Sequence, residues 1–123
     1  MKLIISTHSK VPIYEQIVDQ IKKLIRQGKL IENDILPSVR TLSKELKISA
    51  LTVKKAYDVL EEEGFTVTVH GKGTYVAAVS QELLLEEQKQ EIEFALEQIV
   101  EKGRRYGLAD EDLQSLFQLV MEE

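Results

Sequence analysis

The stretch Leu36–Val76, LPSVRTLSKELKISALTVKKAYDVLEEEGFTVTVHGKGTYV, constrains this chain more than any other. Ser38 is placed to cap a helix whose apolar positions Val39, Leu42 and Leu46 recur at helical spacing. Lys47-Ile48-Ser49 then reads as a tight turn, with Ser49 capping a second helix whose inner side is Val53, Ala56, Tyr57 and Leu60. Gly64 stops that helix. Phe65–Val69 alternates in the manner of a strand, His70-Gly71-Lys72-Gly73 is a turn, and Thr74–Ala77 is the returning strand. Helix, turn, helix and glycine-tipped hairpin, in that order, predict a winged helix–turn–helix, an arrangement that reads duplex DNA.

The flanks extend this plan. Lys10-Val11-Pro12-Ile13 opens a first helix with the apolar stripe Ile13, Ile17, Ile21, Leu24 and Ile25, and Gly28 is its expected stop. Lys29–Asp34 is a connection, and Ile35-Leu36 is expected to form a short strand. A different composition begins near Ser80, which is placed to cap a long helix. Its seam is Ile92, Ala95, Leu96, Ile99 and Val100, and Gly103 and Gly107 are expected to fray or end it. Ala109-Asp110 starts a last helix, with Leu113, Leu116, Phe117 and Val120 on one side. The fold class expected is mainly α with a small β-hairpin. Residues 1–77 form a winged helix–turn–helix domain and residues 78–123 a helical appendage. The appendage either packs back on its own domain or pairs with a second chain.

The chain has 123 residues and a net charge of −5, which argues against a nucleic-acid partner until the charge is located. Residues 1–76 carry 12 Lys and Arg against 9 Asp and Glu, a net of +3; residues 77–123 carry 4 against 12, a net of −8. A basic front is joined to an acidic back, and local charge governs what the front can bind.

Several residues fit a DNA-reading role. On the second helix of the motif, Ser49 and Thr52 can donate to phosphates or base edges, Ala50 and Leu51 can meet a thymine methyl, and Lys54 and Lys55 supply charge. Arg40 has the fork geometry for a phosphate or a guanine edge, unless Glu45 or Glu61 takes it. The helix beginning after Ser38 offers free N–H groups to a phosphate. In the turn, His70 and Lys72 flank Gly71, whose lack of a side chain lets the backbone approach a groove wall. Taken singly, the lysines are ordinary solvated residues and the glycines an ordinary hairpin. Tyr57 reads as core and not as a stacking platform.

Other function classes find little support. Two histidines far apart, no cysteine and no glycine-rich loop opening a helix leave no catalytic or metal-binding constellation, so no enzyme activity, metal or cofactor is expected. The N-terminal apolar run is too short for a signal peptide, and no stretch approaches the roughly 20 apolar residues that span a bilayer. A cytoplasmic protein with no membrane partner is the expectation. A winged helix that binds protein is the main alternative, and Ser49, Thr52, Lys54 and Lys55 argue against it. A third option is an architectural protein that binds any duplex alike.

The chain resembles the GntR family of bacterial transcription regulators, and within it the short YtrA-like subfamily. The resemblance is carried by Pro12-Ile13-Tyr14-x-Gln16-Ile17, Gly28-x-Leu30, Leu36-Pro37-Ser38-Val39-Arg40-x-Leu42-Ser43 and Leu46-x-Ile48-Ser49. It continues through Thr52-Val53-x-Lys55-Ala56-Tyr57, Leu60-Glu61-x-Glu63-Gly64-Phe65 and Gly71-x-Gly73-Thr74-Tyr75-Val76. It covers residues 11–76; Asn33-Asp34 stands where the family commonly has Gly-Asp, and asparagine tolerates the left-handed backbone such a turn needs. The resemblance implies a homodimer on an inverted-repeat, double-stranded operator, with contacts at Arg40, Ser49, Thr52, Lys54, His70 and Gly71. Ala50 and Leu51 sit where the family varies and sets specificity. Only 47 residues follow Val76 (123 − 76), too few for the effector domain of larger relatives. Two pairing helices fit instead, which assigns Ile92, Leu96, Ile99, Leu113, Leu116 and Phe117 to a dimer interface. Members of the subfamily often repress their own operon together with genes for an ATP-driven transporter. No residue cluster identifies a small-molecule effector, so its existence is left open.

Overall fold

A computed structural model describes residues 1–123. The elements in chain order are α1 (Ile13–Arg26), α2 (Val39–Leu46), α3 (Ala50–Glu62), β1 (Thr66–Val69), β2 (Gly73–Val76), α4 (Gln81–Arg105) and α5 (Asp110–Met121). By internal packing the chain divides into Met1–Leu84 and Leu85–Glu123. The first unit runs past Ala77 because Val79 and Leu83 pack against its core. No helix is long and apolar enough to cross a membrane.

In the first unit, Pro12 precedes α1 and its carbonyl accepts the Gln16 N–H at 3.1 Å. Ile17, Ile21 and Ile25 are buried as their spacing requires, with Val18 beside them. Gly28, at φ +73°, ends the helix in a left-handed conformation. Val53, Ala56, Tyr57 and Leu60 of α3 meet that stripe, and Leu42 of α2, Leu36, Phe65 and Val76 close the core. Burial of side chains of this size stabilises by roughly 1.5–3 kcal/mol each before entropy is counted. Ser38 caps α2 by accepting the Thr41 N–H at 3.0 Å, and Ser49 caps α3 by accepting the Leu51 N–H at 3.1 Å. Between them Lys47 adopts φ +57°, and Asn33 adopts φ +73°.

β1 and β2 pair antiparallel, with Thr66 opposite Val76 and Val69 opposite Gly73. Ile35-Leu36 forms a single bridge to Tyr75 and not a full strand, reinforced by the Leu36 N–H on the Thr74 carbonyl at 2.8 Å. The alternation in β1 marks a strand, but Thr66 is the buried partner of Val76 while Val67 and Val69 face out.

Residues ahead of α1 are held by two glutamine amides. Gln20 pairs with both the N–H and the carbonyl of Ile4, at 2.9 and 2.6 Å, and Gln16 does the same for Ser6, at 2.9 and 2.9 Å. The two amides, one helical turn apart on α1, act like rungs of a sheet and seat Leu3 in the core.

In the second unit the later part of α4 and the whole of α5 form a helical hairpin. Gly107, at φ +87°, ends α4. Gly103 neither frays nor ends it: this glycine lies inside the helix, is buried, and receives the Leu113 side chain. The helix continues because Gly103 keeps helical dihedrals, and its missing Cβ opens a notch that lets α5 come close. The Ala109 N–H donates to the Asp112 carboxylate at 3.0 Å at the start of α5. Leu96, Ile99, Val100, Leu113, Leu116, Phe117 and Val120 line an open apolar cleft of about 770 Å³. Ile92 lies outside it, exposed nearer the start of α4. Ile99 is 58% exposed, Leu116 50% and Phe117 52%, so this unit leaves an apolar surface uncovered.

Candidate nucleic-acid interface

The start of α3 is built to face outward. Its inner side is fully committed to the core, so Leu51 in the first turn has no apolar neighbour to bury against and is 78% exposed. Ser49, Ala50, Lys54 and Lys55 are exposed around it, and Thr52 is half-buried. The Ser49 hydroxyl accepts the Leu51 N–H and keeps its own proton free to donate.

The two lysines differ. Lys54 reaches along the helix to Asp58, with Nζ 2.8 Å from the carboxylate, and both groups are well exposed. Such a pair is worth little and is readily exchanged for a phosphate. Lys55 lies back over the Tyr14 ring of α1, with Nζ 4.0 Å from its centroid. The Tyr14 hydroxyl in turn donates to Glu15 at 3.2 Å. Lys55 is therefore drawn toward α1, while Lys54 is drawn along α3 to Asp58.

Arg40 is exposed in the first turn of α2, two residues after the Ser38 cap. Glu61, one of its candidate carboxylate partners, accepts the Thr68 N–H instead, at 3.2 Å. In the hairpin, the Lys72 N–H donates to the Val69 carbonyl at 2.9 Å, and Gly71 at φ +80° supplies the left-handed residue that the turn needs. His70, Gly71 and Lys72 are all exposed at its tip.

Both outlying pieces are tied to α3. The Tyr57 hydroxyl donates to the Pro37 carbonyl at 2.7 Å, just ahead of Ser38. Burial, assisted by the Glu45 carboxylate, pushes the Tyr57 phenol well above its ordinary pKa, so it stays a donor. The Glu61–Thr68 bond does the same for the wing. The sequence alone does not mark Tyr14, Asp58 and Glu61 as site residues. The i,i+4 spacing of Lys54 and Asp58 was a usable signal; the Lys55–Tyr14 and Glu61–Thr68 contacts depend on how separate elements pack.

The profile of the gntR family of bacterial regulatory proteins matches residues 13–76, more than half of the chain. The chain is 38% identical over 109 residues to the HTH-type transcriptional repressor YtrA of Bacillus subtilis (strain 168), a match spanning 89% of this chain and 84% of that protein. The crystal structure of a transcriptional regulator from Oenococcus oeni is similar with a TM-score of 0.74 at 30% identity, over 95% of this chain and 97% of that one. The AraR DNA-binding domain in complex with operator ORX1 is similar with a TM-score of 0.56 at 28% identity, over 63% of this chain and 99% of that one. The winged helix–turn–helix and the family match coincide, and the chain belongs to the gntR family of bacterial regulatory proteins, non-enzymatic DNA-binding regulators of transcription, in its YtrA-like branch.

Proposed function

We propose that this protein is a cytoplasmic repressor of its own operon, with transporter genes among its targets, that binds an inverted-repeat operator as a homodimer. The observation that carries the reading is the outward-facing start of α3. There Leu51 is exposed among Ser49, Ala50, Thr52 and Lys54, a mixture of donors, charge and apolar contact suited to the major groove. Arg40 and the α2 N-terminus anchor the phosphate backbone, and His70, Gly71 and Lys72 of the wing reach the neighbouring groove. The name of the Bacillus relative supports repression, and the operator complex of AraR supports the docking mode. Residues 1–77 serve as the DNA-binding domain and residues 78–123 as the pairing region.

The reason for a dimer is physical. One recognition helix meets few base pairs and binds weakly, whereas two on a palindrome add their contacts and fix the half-sites about one helical turn, roughly 34 Å, apart. The uncovered surface containing Ile99, Leu113, Leu116 and Phe117, with Leu96 beside them and Ile92 further along α4, supports pairing through the C-terminal helices. The test is titration of a labelled fragment of the protein's own promoter against a random duplex at two salt concentrations. Discrimination of about 10³ or more, with a footprint on an inverted repeat, is expected. Equal binding to both duplexes overturns the reading. Arg40→Ala is expected to weaken operator binding by about 1–3 kcal/mol if the fork reaches a base edge, and to weaken operator and random duplex alike if it holds phosphate only.

A further inference from the structure

We propose that Tyr57 and Glu61, one helical turn apart on α3, are positioning residues that hold Arg40 and the wing in register with the recognition helix. The inference rests on the reading of Arg40 and the wing as DNA contacts. Each of the two side chains spans from α3 to a backbone atom close to a contact residue. The Tyr57 hydroxyl holds the Pro37 carbonyl at 2.7 Å, three residues ahead of Arg40. The Glu61 carboxylate holds the Thr68 N–H at 3.2 Å, two residues ahead of His70.

Both pieces need such a hold. Proline has no N–H, so the Pro37 carbonyl is its one backbone hydrogen-bonding group for fixing the entry to α2. The preceding anchor is Leu36, bonded to Thr74 of β2 and not to α3. The helix α2 itself has only eight residues; it buries Leu42 fully and packs Val39 and Leu46 partly against the core. The wing is a two-stranded hairpin of four residues a side, a unit with little stability of its own. Buried Thr66 and Val76 and the Leu36–Thr74 bond fix its base, but Val67 and Val69 toward the tip are exposed, so apolar packing does not hold the tip. A duplex presents its groove and phosphates at fixed spacing, and a binder loses affinity when it must order its parts on contact.

The two tethers are tested by a variant that keeps bulk at Tyr57 and a pair matched in charge with each other at Glu61, with all affinities measured on protein shown by circular dichroism to be folded at the assay temperature. Tyr57→Phe keeps the buried ring and loses only the donor. It is expected to weaken operator binding about three- to tenfold, the scale of one lost hydrogen bond. In an Arg40→Ala background the same change is expected to cost about twofold or less, because what it aligned is gone. Glu61→Gln and Glu61→Ala remove the same charge, but only the glutamine oxygen can still accept the Thr68 N–H. The alanine variant is expected to bind about threefold more weakly than the glutamine variant. That gap closes when His70 and Lys72 are both replaced by alanine. Tyr57→Phe binding like wild type, or losing the same factor with and without Arg40, overturns the role of Tyr57. Equal binding by the two Glu61 variants, or a gap that persists without the wing side chains, overturns that of Glu61. An Arg40→Ala variant that itself binds like wild type sinks the contact reading separately.

Discussion

Gly103→Ala sets helix propensity against packing, and the geometry says packing wins. Alanine in place of glycine inside a helix gains about 1 kcal/mol on propensity alone. A Cβ at this position would meet Leu113 Cδ2 at 2.5 Å, Cδ1 at 3.2 Å and Cγ at 3.3 Å. Carbon atoms in contact settle at about 3.5–4.0 Å, so the leucine has to retreat by about 1 Å. Three atoms of one side chain crowd the site together, so the whole isobutyl group has to turn or α5 has to lift. Overpacking of this kind costs about 1–3 kcal/mol. The net expectation is a loss of up to about 2 kcal/mol, after the propensity gain is subtracted. Urea unfolding followed by circular dichroism measures it, at one fixed chain concentration because association shifts apparent stability. The control is the same substitution in a Leu113→Ala background. With the crowding atoms gone, only the propensity term is left, and Gly103→Ala should then stabilise by about 1 kcal/mol. A gain of that size in the wild-type background, or the same change in both, would refute the notch.

Three further outcomes follow from single contacts. Lys47→Gly should raise stability by about 0.5–1 kcal/mol, since lysine at φ +57° carries a left-handed penalty that exceeds glycine's entropic cost; a drop in thermal midpoint argues otherwise. Asp58→Asn should release Lys54 from its 2.8 Å pair and strengthen binding to operator and random duplex alike, by about threefold at low salt and less at high salt. Selective gain on the operator alone would show that Lys54 reads bases. Phe117→Asp should drive the protein toward monomer in sedimentation equilibrium while leaving the circular dichroism of the winged domain intact, because the ring is 52% exposed and not part of that core. An unchanged dimer would move the interface elsewhere.

What could be read from the chain and what could not divides along a physical line. Caps, stops and stripes are local, and Ser38, Ser49, Ser80, Gly28 and Gly64 do in the structure what their neighbours in sequence require of them. The four apolar positions of α3 are all buried for the same reason. Tertiary placement is different. The alternation in β1 marks a strand but does not say which face meets the helices, and Thr66, not the valines, is inside. Gly103 looked like a breaker because glycine is one by propensity; the partner that makes it a notch, Leu113, lies on another helix. The glutamine clamps at Gln16 and Gln20 carry no local signature at all, since their acceptors and donors are backbone groups of residues ahead of the helix. Lys54 and Lys55 are adjacent and chemically identical. The i,i+4 spacing points Lys54 to Asp58, but only the packing of α1 against α3 sends Lys55 to Tyr14.

The distribution of charge along α3 gives the clearest link from sequence to selectivity. Its first half carries Lys54 and Lys55, and the acids Asp58, Glu61, Glu62 and Glu63 follow at and just beyond its second half. The helix dipole adds positive potential at the start and negative at the end, in the same sense. Under the proposed docking, a phosphate backbone is attracted at the helix start and repelled along the rest, which favours entry of α3 into a groove by its N-terminal end. Residues 77–123 carry a further net −8. Fields between exposed charges fade over about 8–10 Å at physiological salt, so the lysines at the start of α3 act only on a duplex close to them. Nonspecific binding is almost wholly electrostatic and is the term that this arrangement reduces; base contacts are left nearly untouched. A regulator that must find few sites among very many gains selectivity by subtraction as surely as by addition, and a chain with a net charge of −5 is consistent with that strategy.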